Sequence, residues 1–399
     1  MNVVVTLEHR FDRTPDGKVW TQVAFPHSFW MRYLEVFDRL IVVARVLEVA
    51  SASGDWKRAD GEGVSFAALP HYIGPWQYLQ EAPQVQRAAR NAVAPNDAVI
   101  LQVSSQVATC IQPMLSQTNH PYAVEVVADP YDVFAPGAVK HPLRPFFRWW
   151  FPRGLRHECA GAGAAAYVTE GALQCRYPPA SGAFSTHYSC GELPNSAFAA
   201  APRCDDRRKQ PFTLVSVGTL AQLYKAPDVL IDAVATCVRL GLNLLKLVLV
   251  GDGKYRSELE ARSQACGIAD RVCFLGQLIA GDAVPAQLDR ADIFILPNRQ
   301  EGLPRAMIEA MARALPCIGS TVGGIPELLP SEDLVPPGDV TALACKIREV
   351  ATNPERMARM SARNLQKAIE YRDEALREQR NEFYRYVPEM TEAWLKQKN

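Results

Sequence analysis

The sequence lacks the features that mark membrane-spanning, secreted and metal-binding proteins. No run approaches about 18 apolar residues without a charge, so no spanning helix is predicted. The N-terminus has neither the charged start nor the long apolar core of a secretion signal. The ten cysteines, scattered from Cys110 to Cys345, form no CxxC pair and no metal-ligand spacing. This pattern favours reduced structural thiols in a cytoplasmic protein.

The chain also lacks an excess of either charge. Its 43 Lys and Arg residues balance 43 Asp and Glu residues, and no nucleic-acid-binding motif is present, so no nucleic-acid partner is expected. Apolar residues at 48% and charged residues at 22% are typical of a globular protein in water. Because 399 residues exceed what one hydrophobic core usually serves, two domains are expected.

Short apolar runs alternate with helical patterns in both halves of the chain. Strands are predicted in the C-terminal half at residues 213–217, 244–250, 271–275 and 293–296. Less regular candidates in the N-terminal half are residues 3–7, 39–43, 64–68, 98–103 and 122–127. This alternation predicts parallel sheets covered by helices on both faces, an α/β fold of two Rossmann-like, doubly wound domains.

The division between the domains is predicted from a change in composition. Around residues 201–212 the sequence turns to Ala, Pro and charge, and its periodicity fades. We therefore expect an N-terminal domain at 1–200, a linker at 201–212, and a C-terminal domain at 213–375. A helical tail at 376–399 is expected to return to the first domain. Two such domains place a crevice between the carboxyl ends of their sheets, where ligands bind in these folds.

The segment at residues 292–313 is the strongest candidate for a binding site. A strand ends near Leu296, Glu301 lies in the following loop, and Pro304 suits the first position of a helix. Free amides and the dipole at a helix start favour an anion, and Arg305 adds positive charge. Glu309 could accept hydrogen bonds from a ribose, while Glu301 could hold sugar hydroxyls. The alternative is that the two glutamates form a helix cap and a solvated face.

A second candidate anion site opens the helix predicted at residue 227. Gly218 would let a ligand approach the backbone, and Lys225 would neutralise a diphosphate leaving group. An isolated lysine is otherwise ordinary surface. Weaker candidates for nucleotide contact are Gly251, Asp252 and Leu275, since Gly251-Asp252-Gly253 lacks the third glycine of a dinucleotide fingerprint. The Gly-rich turn at residues 322–327 faces the same crevice by topology.

These motifs together resemble the retaining glycosyltransferases of family 4, which have the two-domain GT-B fold. The resemblance covers residues 213–345 in family order. Its motifs are Val217-Gly with Lys225, Val250-Gly-Asp-Gly, Val272-Cys-Phe-Leu-Gly, Ala291-Asp-Ile-Phe-Ile-Leu-Pro, Glu301-Gly with Glu309-Ala-Met-Ala, and Val322-Gly-Gly-Ile-Pro-Glu. The N-terminal half is similar to the family only in general plan.

The resemblance implies roles for particular residues. Glu301 would bind hydroxyls of the donor sugar close to the reacting carbon, and Glu309 would bind the ribose. Lys225 would contact the diphosphate, helped by the amides of Gly302 and Leu303. Many family members have an arginine at the position of Thr219, and we expect Arg305 to replace that diphosphate contact. No metal or other cofactor is expected, because the nucleotide sugar is a substrate and no Asp-x-Asp motif follows either crevice strand.

The N-terminal domain is expected to bind the acceptor. Family members often use a histidine here to contact the donor sugar, and the comparable strand end reads Val126-Val-Ala-Asp129 instead. Either Asp129 replaces that catalytic histidine or His141 folds back to the site. The loop at residues 11–18, with Asp16 and Gly17, is expected to overhang the acceptor site.

Residues 140–157 combine basic and aromatic side chains and contain no acidic residue. This composition suits the headgroup layer of a membrane, and contact with an anionic inner membrane face is predicted. The alternative is a helix that packs its aromatic rings inside the domain. The residues expected to make the contact are Lys140, Arg144, Arg148, Trp149, Trp150 and Arg153.

The sequence therefore predicts a retaining glycosyltransferase that uses a UDP-, GDP- or ADP-linked sugar. The expected acceptor is a saccharide or a lipid-linked glycan in polysaccharide or glycolipid biosynthesis. Two alternatives stay open on the same fold. One is a nucleotide-sugar epimerase or a phosphorylase, and the other is a non-catalytic subunit that binds nucleotide sugars.

Overall fold

The computed structural model describes residues 1–22, 24–136, 139, 141–189, 193–203, 212–278 and 283–398. These residues form two sheets, one in each half of the chain. Most of the predicted linker, residues 204–211, lies outside the described residues. In the described part of the chain, no helix combines the length and the apolar character needed to cross a bilayer.

The N-terminal sheet has nine strands among the described residues, and all pairs are parallel except those made by the short β2. Its main order is β5-β3-β1-β6-β7-β8-β9, with β2 and β4 extending one edge of β1. The strands are β1 (Asn2–Arg13), β2 (Val19–Thr21), β3 (Arg39–Glu48), β4 (Lys57–Arg58), β5 (Val64–Leu69), β6 (Ala98–Val103), β7 (Ala123–Val126), β8 (Ala164–Tyr167) and β9 (Phe184–His187).

Six helices accompany this sheet among the described residues. They are α1 (His27–Leu34), α2 (Gly74–Asn91), α3 (Gln106–Gln117), α4 (Pro130–Val133), α5 (Arg144–Ala160) and α6 (Ala172–Arg176). The helices α2, α3 and α5 pack in a row, since α3 contacts both of the others. Their buried side chains share one core with the apolar residues of β6, β7 and β8, which are hydrophobic almost throughout.

The first strand is longer than the sequence predicts. Residues 8–13 continue β1 beyond the predicted end, and residues 14–18 make a tight turn into β2. The last pair of β1 with β6 is Thr6 with Leu101, so the hairpin projects past the neighbouring strand. Interpreting residues 11–18 as one loop was wrong for 11–13, because these residues pair with β3, where Phe11 is buried and lies opposite Val46.

The C-terminal sheet is parallel and has the order β12-β11-β10-β13-β14-β15. Numbered from its own first strand, this is 3-2-1-4-5-6, the order of a dinucleotide-binding Rossmann sheet. The strands are β10 (Phe212–Val217), β11 (Leu245–Val250), β12 (Val272–Gly276), β13 (Ile293–Leu296), β14 (Cys317–Ser320) and β15 (Leu334–Val335). The strand order reverses between β10 and β13, so the ligand crevice is expected at the ends of these two strands.

Helices cover this sheet on both faces and continue into the tail. They are α7 (Pro227–Arg239), α8 (Arg256–Ala265), α9 (Ala283–Arg290), α10 (Arg305–Ala312), α11 (Ile325–Leu328), α12 (Val340–Ala351), α13 (Pro354–Ala368) and α14 (Asp373–Lys398). On one face of the sheet, α7 and α12 pack against the strands. On the other face, the buried side chains of α10 form a separate hydrophobic core. The sequence placed Pro304 in the first position of α10, but Pro304 is the residue that precedes it.

The last helix, α14, crosses back and packs on β6, β8 and β9 of the N-terminal sheet. Its Tyr384 is fully buried and donates a hydrogen bond to Glu125, 3.2 Å away. Tyr33 and Tyr188 donate to the same carboxylate at 3.1 and 2.6 Å. Burial, and then the Glu125 charge, raise the pKa of Tyr384 well above its usual range. Three hydroxyl donors compensate the buried carboxylate, which fixes α14 to the first domain.

Candidate active site

Two loops of the C-terminal sheet meet where its strand order reverses. Residues 218–225 follow β10, and residues 297–304 follow β13. The two strands are hydrogen-bonded neighbours, with Leu214 opposite Ile293 and Val215 opposite Phe294. Side chains that are 76 positions apart in the sequence therefore lie side by side at the carboxyl edge.

The centre of the candidate site is an ion pair between Lys225 and Glu301. The Lys225 Nζ lies 2.5 Å from the Glu301 Oε2, and each side chain is less than one-fifth exposed. The amide Nδ2 of Asn298 donates to the same carboxylate oxygen at 2.5 Å. Asn298 is fully buried, and its Oδ1 has no hydrogen-bond partner among the described residues. The two residues that the sequence assigned to the diphosphate and to the sugar are thus in direct contact.

The loop that carries Lys225 is held by Arg299. Its guanidinium makes two parallel hydrogen bonds to the Asp228 carboxylate, at 2.7 and 2.8 Å, and a third to the Leu223 carbonyl at 2.7 Å. The Arg299 amide also donates to the carbonyl of Tyr224. Such a bidentate pair is strong and directional, so it fixes the orientation of the short turn Leu223–Lys225.

The backbone next to Lys225 is in an unusual conformation. Ala226 has φ 52° and ψ 42°, the left-handed region that costs a residue with a Cβ about 1 kcal/mol or more. Its side chain is fully buried, and its amide donates to the Leu223 carbonyl. Backbone strain of this kind persists only where surrounding contacts hold it and is concentrated at functional sites.

The glycines of the site serve close packing between loops. A Cβ on Gly218 would lie 3.1 Å from Cγ of Lys225, so the glycine leaves room for the lysine stem. A Cβ on Gly251 would lie 2.0 Å from the Gly218 carbonyl oxygen, and one on Gly323 would lie 2.0 Å from the Glu301 carbonyl oxygen. Both positions also have positive φ. The turn at Gly251 therefore packs against the loop after β10, and the turn at Gly323 packs against the loop after β13.

The weaker nucleotide candidates have mainly structural contacts. The Asp252 carbonyl accepts from the Leu220 amide, and its carboxylate pairs with Arg256. The Gly251 amide donates to the carbonyl of Gly276, the residue after Leu275, at 2.9 Å. Leu275 itself is half-buried against the core. These contacts favour interpreting the Gly251 turn as loop packing, and nucleotide contact there stays a prediction.

Arg305 and Glu309 form an ion pair on the first turns of α10. The Arg305 Nε lies 2.8 Å from the Glu309 Oε1, and the arginine side chain is 66% exposed. The first intrahelical donors of α10 are Met307 and Ile308, which both donate to the Pro304 carbonyl. The amides that precede them are those available to an anion. An exposed ion pair contributes at most about 1 kcal/mol to stability. A bound nucleotide could therefore separate Arg305 from Glu309 at little cost in free energy.

The N-terminal domain approaches the site closely. A Cβ on Gly302 would lie 3.0 Å from the Val127 carbonyl oxygen, and Leu303 packs against the core that contains β6–β8. Across the crevice, the Glu327 carboxylate accepts hydrogen bonds from three successive amides at 2.7 to 3.0 Å. These are the amides of Glu170, Gly171 and Ala172. The carboxylate thereby caps the start of α6 from the other domain.

Asp129 is turned toward its own domain. Its carboxylate accepts from the Tyr131 amide at 2.9 Å and from the Tyr177 hydroxyl at 2.5 Å, and it forms an ion pair with Arg176. The side chain is only 4% exposed. This geometry favours a structural link between the loop after β7 and α6. Direct contact of Asp129 with the donor sugar stays a prediction, as does the alternative with His141, whose Nδ1 accepts from Leu143.

The residues predicted to overhang the acceptor site lie in a self-contained turn. Asp16 accepts from the Thr14 hydroxyl at 2.6 Å and pairs with Lys18, while Gly17 has the positive φ that the turn requires. Their contact with an acceptor is untested. Within the described ranges, no three His, Cys, Asp or Glu side chains are grouped so that they could hold a metal ion. Metal independence stays a prediction.

Several residues of the site could not be assigned from the sequence. Asn298 and Arg299 fall inside the recognised segment, but nothing local marked them as partners of Glu301 and Asp228. Glu327 belonged to a recognised turn, yet its contact with α6 joins positions about 155 residues apart. The only available signal was their place in loops at the carboxyl edge of the sheet.

Comparison with known proteins agrees with this architecture. The family described as glycosyl transferases group 1 matches residues 211–353. The protein CapJ of Staphylococcus aureus is 25% identical over 322 residues, which cover 80% of this chain and 79% of CapJ.

Solved structures extend the likeness to the fold of nearly the whole chain. Sucrose-phosphate synthase from Thermosynechococcus elongatus superposes with a TM-score of 0.69 at 19% identity, covering 97% of this chain and 99% of that one. HepE of Anabaena, solved in complex with UDP-glucose, gives a TM-score of 0.63 at 15% identity, covering 96% and 98%. The predicted fold is confirmed. Residues 211–353 thus match the group 1 glycosyl transferase family, and the chain has the GT-B fold of two facing Rossmann-like domains.

Proposed function

We propose that this protein is a retaining glycosyltransferase that transfers a sugar from a nucleotide-diphosphate donor to a saccharide or a lipid-linked glycan. The observation that carries the proposal is the Lys225–Glu301 pair at the reversal point of the C-terminal sheet. A cation and a carboxylate in contact there suit the two parts of the donor that separate in the reaction. The diphosphate needs positive charge, and the sugar hydroxyls need an acceptor.

In this proposal, the donor lies across the ends of β10 and β13. Lys225 and the amides around Gly302 and Leu303 bind the diphosphate, and Glu309 accepts from the ribose. Arg305 supplies the positive charge that Thr219 lacks. Similar proteins support the class, among them a GDP-mannose-dependent mannosyltransferase of Mycobacterium tuberculosis.

Glu301 is proposed as a ligand of the donor sugar and not as a nucleophile. Its Oε2 already accepts from both Lys225 and Asn298, and these two hydrogen bonds lower the nucleophilicity of the oxygen. When the bond from the anomeric carbon to the diphosphate breaks, its electron pair leaves with the phosphate oxygen. Lys225 neutralises that charge, while the fixed carboxylate stabilises the positive charge that develops on the sugar.

The donor can be identified by thermal shift against UDP-, GDP- and ADP-sugars. A ligand at one hundred times its Kd stabilises the folded state by about 2.7 kcal/mol, so the matching donor should raise the Tm by several degrees. Lys225→Ala should reduce that shift, since the diphosphate loses its cation. Equal Tm values with every nucleotide sugar, at concentrations up to the millimolar range, would contradict the proposed donor site.

Product analysis separates the proposal from the two alternatives. Transfer to an acceptor, or slow hydrolysis of the donor without one, supports a glycosyltransferase. A new nucleotide sugar formed without hydrolysis would identify an epimerase, and phosphate-dependent cleavage of a glycan would identify a phosphorylase. Donor binding without any turnover would identify a non-catalytic subunit.

We also propose that α5 attaches the N-terminal domain to an anionic membrane surface. The helix divides its aromatic side chains between two environments. Phe147 and Phe151 pack against Phe134, which agrees with the alternative that the helix packs its rings inside the domain. In contrast, Trp149 and Trp150 are 50% and 55% exposed. Among the basic residues of this segment, Lys140 lies outside the described residues. Exposed tryptophans beside arginines suit a headgroup layer.

Reversing the charge of Arg144, Arg148 and Arg153 to Glu is expected to release the protein from anionic vesicles. Each arginine near such a surface contributes about 1 kcal/mol, so the triple variant should bind roughly a hundredfold more weakly at low salt. Vesicle co-sedimentation measures this, and donor hydrolysis should be unchanged.

Two of these arginines also hold the fold locally, and this calls for a second variant. Arg144 donates to the Phe134 carbonyl and Arg148 to the Tyr131 carbonyl. The exchange of Trp149 and Trp150 for Ser removes apolar surface without breaking those bonds, and it should weaken binding at both low and high salt. Wild-type binding by both variants would contradict the membrane contact of α5.

A further inference from the structure

The start of α2 carries an exposed apolar surface that no motif in the sequence marked. Ile73, Trp76 and Leu79 are 57%, 79% and 63% exposed. We call these three residues the α2 tip. Trp76 and Leu79 are one helical turn apart and share a face, and Ile73 immediately precedes the helix. Three large apolar side chains this exposed at one point indicate a surface that is covered in function.

The α2 tip lies on the same face of the domain as α5. The helices α2, α3 and α5 form one row, because α3 packs against both of the others. Packed helices lie 8–10 Å apart, so the axes of α2 and α5 are separated by roughly 20 Å. The helices α2 and α5 both follow parallel strands, β5 and β7, so both helices start at the crevice edge of the sheet. Two exposed aromatic surfaces thus lie on one face of the domain, with α3 between their helices.

The charges around the α2 tip are of both signs. The first acidic residue of α2 is Glu81, two positions after Leu79. Just before the tip, burial and then the charges of Arg10 and Arg45 lower the pKa of His71, while the nearby Asp12 opposes this shift. Arg45 is itself paired with Glu8, whose carboxylate lies 3.2 Å from its guanidinium. Arg10 is exposed on β1. The preference for an anionic surface therefore comes from the arginines of α5 and not from the α2 tip itself.

The apolar residues point to lipid rather than to a sugar. A saccharide subsite joins one aromatic ring to several hydrogen-bonding side chains, whereas the aliphatic side chains of Ile73 and Leu79 offer a saccharide no hydrogen bond. A bilayer interface accepts such a cluster, with the indole at the headgroup level and the aliphatic groups below it.

We propose that the α2 tip is a second membrane contact, which inserts beside α5 and turns the crevice edge of the N-terminal domain toward an anionic bilayer. The proposal rests on the proposed membrane contact of α5. Two contacts roughly 20 Å apart fix the tilt of the domain, which a single helix cannot do. Because the second contact forms within a molecule already bound, the two affinities reinforce each other. A lipid-linked acceptor would then reach the crevice from the membrane side.

The test uses the full chain and vesicles of phosphatidylcholine mixed with phosphatidylglycerol. Trp76→Ser combined with Leu79→Ser should weaken vesicle binding about tenfold or more, at low and at high salt alike, because burial of apolar surface is not screened. The matched control is Leu240→Ser with Leu244→Ser, which changes two half-exposed leucines of the C-terminal domain and should bind like the wild type.

The outcomes separate the two membrane proposals from each other and from catalysis. If the α2-tip variant binds like the wild type while the α5 triple variant does not, the second contact is wrong and α5 alone attaches the domain. If neither variant loses binding, both membrane proposals are wrong. A change from dimer to monomer in light scattering, with vesicle binding unchanged, would assign the tip to a contact between copies and overturn the proposal. Donor hydrolysis without vesicles should be equal in all variants. Loss of hydrolysis in the α2-tip variant would show that these residues support the crevice itself, and it would count against the proposal.

Discussion

Glu301→Gln is expected to lower the turnover number at least a hundredfold while the protein remains folded. The amide keeps the shape of the side chain and can still accept from Asn298, but it carries no charge to stabilise the developing positive charge on the sugar. Electrostatic groups directed at a transition state are typically worth about 10²–10³ in rate. The substrate is held by several other groups, so KM should change much less than the turnover number.

Steady-state kinetics with the donor found by thermal shift would measure this effect. Glu258→Gln, on the exposed side of α8 in the same domain, is the matched control and should leave both constants unchanged. Glu309→Ala should act differently, because a ribose contact is made equally in the ground state and the transition state. It should mainly raise KM. Turnover numbers near the wild-type value in both Glu301→Gln and Glu309→Ala would end the assignment of this glutamate pair.

Lys225→Ala is expected to reduce kcat/KM by about 10²–10³, more than any effect of a chelator. The leaving diphosphate would lose its nearest cation, and Glu301 would lose the partner that fixes its carboxylate. The side chain is only 17% exposed, so water replaces its charge poorly. The variant should fold, because the Arg299–Asp228 pair still holds the turn.

The comparison with chelation makes this prediction specific. Transfer by the wild type should continue in excess chelator, since Lys225, Arg305 and backbone amides are proposed to meet the phosphate charge. Lys246→Ala, an exposed lysine on β11, serves as the control for loss of a positive charge from this domain. Activity that disappears in chelator and returns with Mg²⁺ or Mn²⁺ would show that a metal ion carries the charge assigned to Lys225.

The sequence by itself determined the class of fold and the loops that form the site. The bounds of β6 and β13 coincide with the predicted ones, because a buried strand of a parallel sheet is apolar along its length and ends at turn residues. The Gly218, Gly251 and Gly323 turns were recognisable for a similar reason. Positive φ and close backbone contact restrict Gly251 and Gly323 to glycine, and the Lys225 side chain leaves little room for a Cβ at Gly218.

Only the tertiary structure decided which of these residues act together. Lys225 meets Glu301, and Arg299 meets Asp228, because β10 lies beside β13 in the sheet, and that order follows from packing of the whole domain. The sequence could not show that Asp129 turns inward, because its partner Tyr177 comes from another element. Likewise, the exposure of Trp76 and Trp149 depends on which side of each helix the sheet covers. A local pattern shows which secondary structure and burial a residue favours. Contacts between residues 70 or more positions apart form only when the helices and strands pack together.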